Sequence, residues 1–148
     1  MSDPIRTDVS RTLEPVRADD DVRRYRWTER LVLYLRVMAG LSLLKGLWHW
    51  AAVTGIVVGA EGGFEDRPMS WQAATVFFAV IDLVAAVGLW LAAAWGAVVW
   101  LTAVVSMMAV EFLFPQVYGG HPVVVAIQLA FLFAYFGLTL MAARERAP

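Results

Sequence analysis

Four ionisable side chains interrupt otherwise apolar stretches of the sequence: Arg36, Lys45, Asp82 and Glu111, two of each sign. An ionisable group inside a membrane span is expensive to bury and marks an ion path, a proton relay or a structural pair. Depth separates the four. Arg36 lies about five residues, or roughly 8 Å, from the start of its apolar run, where a long side chain reaches the headgroups by snorkelling. Glu111 lies close ahead of Pro115 and reads as a solvated or helix-end carboxylate. Lys45 and Asp82 are deeper, about 8 to 13 and about 11 residues from the outer ends of their runs, so at roughly 1.5 Å per residue they can share one level. At one level they can pair across adjacent helices and fix register. The alternative is a proton or ion step through Asp82, with His49, one turn beyond Lys45, and Glu111 as relays. No longer chain of carboxylates and histidines accompanies them, so the structural pair is the preferred reading.

Other chemistries fall away. The chain has no cysteine and two histidines, His49 and His121, so thiol relays, thiolate metal sites and a ligand-spaced histidine cluster are excluded, and no metal or cofactor is expected. A net charge of −1 and a pI near 6.1 offer no basic field to nucleic acid. Small residues at fourfold spacing, Gly55 with Gly59 and Ala126 with Ala130 and Ala134, point to close helix contacts, within the chain or with a neighbour.

The elements that must position these groups follow from hydropathy. The 148 residues are 60% hydrophobic and 17% charged, and between Arg67 and Arg144 only Asp82 and Glu111 carry charge. That rules out a water-soluble globule and leaves room for about four spans of roughly 20 residues. We expect an all-α four-helix transmembrane bundle with spans near 31–56, 71–94, 97–114 and 122–143. Ser70 is the expected N-cap of the second span, Ala92 to Gly96 the turn after it, Pro115 the close of the third and Pro122 the first turn of the fourth. The far end of the first span is open: the Trp48-His49-Trp50 group could mark the interface, or the helix could continue through TGIVVGA.

Residues 1–22 hold six acidic and three basic side chains and too little apolar surface to offset ordering, so a mobile polar tail precedes a membrane domain over 23–146. Arg23, Arg24, Arg26, Trp27, Arg30 and Arg36 form a basic, aromatic collar at the first span, Arg144 and Arg146 follow the last, and Trp71 and Trp95 mark interfaces. Basic residues concentrated on these flanks, with only Arg67 opposite, predict both termini in the cytoplasm.

The strings RPMSWQAA, AAVGLWLAAAWGAVVW and FPQVYG resemble a family of small four-helix bacterial inner-membrane proteins of unknown function, over about residues 30–143. The resemblance implies the four-span architecture and a multi-pass inner-membrane location. In the first span, Arg36 with Gly40 and Gly46 is similar to the DoxX-like membrane proteins, which implies a quinone-linked redox subunit as one reading. From the residues, the leading expectation is a non-enzymatic accessory or assembly subunit of a larger membrane complex. Its partners would be lipids and other membrane subunits or further copies of itself. A proton or small-solute conduit through Asp82, Lys45 and His49 is the alternative.

Overall fold

The structure, a computed structural model, describes residues 26–57 and 62–146. The expected tail 1–22 lies outside them, as do Arg23, Arg24 and Gly59. The described residues are helical and contain no strand. They comprise α1 (Arg26–Val53), a 3-10 turn (Phe64–Asp66), α2 (Met69–Trp90), α3 (Ala94–Leu113), the one-turn α4 (Pro115–Tyr118) and α5 (Pro122–Arg146). The four long helices are long and apolar enough to cross a membrane. Large apolar side chains such as Leu44, Val98, Phe133 and Leu140 face outward, the reverse of a soluble bundle and suited to a hydrocarbon solvent.

α1 and α2 share the most extensive contact, α3 packs on α2, α5 packs on α1, and α3 touches α5 only lightly. One end of the bundle, the tail end, gathers the start of α1, the end of α5 and the turn between α2 and α3. The loop end gathers the 3-10 turn and α4. At the tail end the Glu145 carboxylate accepts hydrogen bonds from the backbone N–H groups of Trp27 (2.8 Å) and Thr28 (3.1 Å). These bonds tie the last helix to the beginning of the described part of the first.

The α2–α3 turn closes at Leu91, Ala92 and Ala93. Ala92 N–H donates to Leu89 and Ala93 N–H to Gly88, the crossed pair of a Schellman motif, with Ala92 left-handed at φ 49°. Alanine in that conformation costs about 1 kcal/mol, which glycine avoids. Beyond the turn, the α2 and α3 backbones touch: a Cβ on Gly96 would fall onto the backbone of Gly88, and a Cβ on Gly88 onto Gly96 and the Trp95 ring. The core around this contact is apolar, made by Leu35, Met38, Ala39, Ala85, Leu89, Trp100 and Val104.

Two local expectations are corrected, and one open helix end is fixed. α2 begins at Met69 with Pro68 as its N-cap, so Ser70 lies inside the helix. Proline at φ −55° is already set for helix entry, and Gln72 reaches back to the Arg67 carbonyl at 2.7 Å. α1 stops at Val53, short of the TGIVVGA extension. Gly55, expected in a helix-packing stripe, instead turns the chain at φ +74° with no side chain near it, because a glycine past a helix end serves the left-handed turn rather than a helix contact.

Candidate functional site

Along α1 the buried residues Leu35, Met38, Ala39, Ser42, Gly46 and His49 recur at helical spacing and face α2. Lys45 flanks this stripe. On α2 the buried stripe runs Thr75, Phe78, Ala79, Asp82, Ala85, Ala86 and Leu89. The crossing is tight at Gly46, where a Cβ would lie 2.8 Å from the Leu83 side chain. This close approach lets a lysine on one helix reach a carboxylate on the other. Lys45 Nζ lies 3.1 Å from Asp82 Oδ1.

The two partners are unequally buried: the Asp82 side chain is 1% exposed and that of Lys45 is 34% exposed. Asp82 is therefore held by its partner, whereas Lys45 also reaches an open surface. The ammonium also sits 5.7 Å from the centre of the Phe78 ring, within range of a cation–π contact. Asp82 Oδ2 and His49 Nε2 are both buried without a hydrogen-bond partner. A buried polar atom left unpaired costs about 1–3 kcal/mol. His49 stacks on Phe78, with ring centres 5.9 Å apart, and meets Tyr118 at 6.3 Å.

Toward the loop end the polar interior continues. The hydroxyls of Thr75 and Tyr118 are 3.3 Å apart. Burial pushes the Tyr118 phenol above its ordinary range, while the hydrogen bond to Thr75 works the other way. Glu111, 6% exposed, accepts a hydrogen bond from the His121 backbone N–H at 2.9 Å. It holds the α4–α5 loop rather than standing in water, which corrects the solvated reading. Trp50 Nε1 donates to the Ala79 carbonyl at 3.1 Å, so the second tryptophan of the Trp-His-Trp group ties α1 to α2.

The expected anchors divide. Arg30 lies over Trp27, Arg36 over Trp90 and Arg67 over Trp71, with cation-to-ring distances of 4.7, 5.9 and 5.0 Å. Arg26 and Arg144 are exposed, as is Trp95; Arg146 is the last residue of α5. Ala126, Ala130 and Ala134 are exposed along α5, so they make no close contact within this chain. Among the described residues no three histidine or acidic side chains converge as a metal-holding group.

Sequence reasoning missed Ser42, Thr75, Tyr118, Gln128 and Glu145. Ser42 and Thr75 carried a usable signal, because they stand three residues before Lys45 and seven before Asp82, on the faces those residues mark. Tyr118 and Glu145 act through contacts 43 and 117 to 118 residues away, for which helical spacing holds no clue.

A family model described as a family of unknown function (DUF6163) matches residues 29–146, and the chain belongs to that family. No curated protein and no solved structure matches it. The DoxX-like similarity of the first span finds no support in these matches.

Proposed function

We propose that this chain is a non-enzymatic four-span protein of a bacterial inner membrane, with both ends in the cytoplasm, acting as an accessory or assembly subunit through the outer face of α5. The observation that carries the reading is α5 itself. Its own chain covers it little, with Ala142 as its buried apolar residue, and Ala126, Ala130 and Ala134 stand exposed in one row. Small residues let a neighbouring helix approach closely where lipid supplies no drive for association. Arg26, Arg30 and Arg144 at the tail end support the orientation, since basic residues favour the cytoplasmic side.

In this reading the Lys45–Asp82 pair sets the register of α1 on α2. The conduit reading is less well supported, because a proton path needs polar groups through the full depth of the bundle. The polar groups here, from Lys45 and Asp82 to Tyr118 and Glu111, occupy the loop-end half. The other half is closed by Leu35, Leu89 and Trp100.

The native chain lacks cysteine, so Ala130→Cys offers a unique crosslinking position. Purification in nanodiscs should yield a different membrane protein at fixed stoichiometry, crosslinked through position 130, and Ala130→Ile should release it. Recovery of a lone monomer or homo-oligomer would falsify the accessory role. So would a proton flux in liposomes that Asp82→Asn abolishes.

A further inference from the structure

A cleft of about 210 Å³ opens between α1, α3 and α5. Its wall is mostly apolar, including Leu41, Trp100, Ile127 and Phe131, and its polar groups are Ser42, Lys45 and Gln128. On the tail-end side of the cleft, α5 is held to α1 at two places. Glu145 accepts from the Trp27 N–H, and Tyr34 Oη donates to the Phe131 carbonyl at 2.6 Å. From Phe131 toward the loop end, Gln128, Ile127 and Val124 form the α5 wall of the cleft, and Glu111 holds the start of α5 through the His121 N–H.

The chemistry of this wall is specific. An ammonium has three N–H donors; the Lys45 group directs one toward Asp82 Oδ1, and the side chain is 34% exposed on the cleft wall. Gln128 Oε1 is buried and has no hydrogen-bond partner. The cleft therefore presents the Lys45 N–H donors on one side and the Gln128 side chain, its Oε1 buried, on the other. It presents no net charge, because Asp82 neutralises Lys45 in place. Lys45 is eight residues from the end of α1 at Val53, or about 12 Å deep at 1.5 Å per residue. An anionic head at that depth would bring an uncompensated charge, which is costly inside a membrane. A neutral head with a hydroxyl or carbonyl oxygen suits these groups.

The volume and lining select the rest of the occupant. The space equals that of about seven waters at ~30 Å³ each, but a wall of hydrocarbon and aromatic groups favours an apolar guest over water. We propose that this cleft binds a neutral, single-tailed membrane amphiphile, its hydroxyl or carbonyl head on Lys45 and Gln128 and its tail against Leu41, Trp100 and Phe131. The site uses the side of α5 turned toward α1 and α3, so it does not depend on the subunit role of the Ala126, Ala130 and Ala134 face.

The test is native mass spectrometry of the full chain in mild detergent, titrated with oleyl alcohol, oleate or phosphatidylglycerol. One saturable equivalent of oleyl alcohol is expected. Ile127→Trp fills the cleft from a position that is 49% exposed, away from the ion pair, and should abolish the adduct without changing thermal stability. Gln128→Leu should weaken it about tenfold, as loss of one hydrogen bond implies. Absence of a saturable adduct, or undiminished binding to Ile127→Trp, overturns the site. Tighter binding of oleate or phosphatidylglycerol than of the alcohol overturns its neutral, single-tailed character.

Discussion

At the tail end of the bundle, α2 and α3 meet through bare backbone at Gly88 and Gly96, and the surrounding core is hydrocarbon with one indole. At the loop end the same helices enclose Asp82, His49, Thr75, Tyr118 and Glu111, two of them with buried atoms that lack a partner. The first half is held by contact distance together with the hydrogen bonds of Glu145 and Tyr34, and the second mainly by hydrogen bonds and charge. In a membrane this division matters, because burial of apolar surface gains nothing over lipid. Only close packing and polar bonds can distinguish the folded bundle from four separate helices, and the two halves use them in different proportion.

Substitutions should respond accordingly, and the largest response belongs to the close-packed half. Gly96→Leu drives a side chain into the Gly88 backbone, which cannot rotate away, so a loss of at least about 3 kcal/mol is expected in a steric-trapping or denaturant assay. Gly40→Leu, where no side chain lies within 4 Å, should be neutral in the same assay. Equal tolerance at both positions would break the comparison.

The ion pair should show the opposite dependence, on charge rather than size. Lys45→Met leaves a carboxylate that is 1% exposed without a partner, and should cost about 2–3 kcal/mol. Asp82→Asn leaves a lysine that can turn to the cleft and should cost about 1 kcal/mol. The double variant Lys45→Met/Asp82→Asn should be more stable than Lys45→Met alone, a coupling read from a double-mutant cycle. Additive losses would mean that the pair does not hold the bundle.

Smaller effects sharpen the boundary between the halves. Glu145→Gln weakens the tie to α1 and should cost about 1 kcal/mol, seen as faster amide exchange at Trp27 and Thr28 with little change near Asp82. Tyr118→Phe removes the bond to Thr75 and should cost about 0.5–1 kcal/mol. It should also reduce the loss of stability at high pH. Burial raises the Tyr118 phenol in the folded chain, so its contribution is present below about pH 10 and is lost as the pH rises through the higher folded value.

How much of this was legible differs between the halves as well. Apolar runs and the breaks at Pro115 and Pro122 describe the four long helices, because hydropathy and proline act locally. Counting residues from helix ends puts Lys45 and Asp82 at one level, since rise per residue is constant. Gly55 was misread because fourfold glycine spacing has two physical uses, packing within a helix and a left-handed turn after one, and sequence spacing does not separate them. The exposure of Lys45 on a cleft was illegible, because it depends on where α5 is tethered by residues far away in sequence. Ser42 and Thr75 lie on the marked faces and could have been added to the site by helical spacing alone.

The tie that Glu145 makes to α1 also imposes an order in time. The carboxylate lies 118 residues after the Trp27 backbone that it serves, which at ribosomal rates is a delay of roughly 6–24 s. Throughout that interval the Trp27 and Thr28 N–H groups lack this partner, and it is the arrival of α5 that joins the two ends of the described bundle.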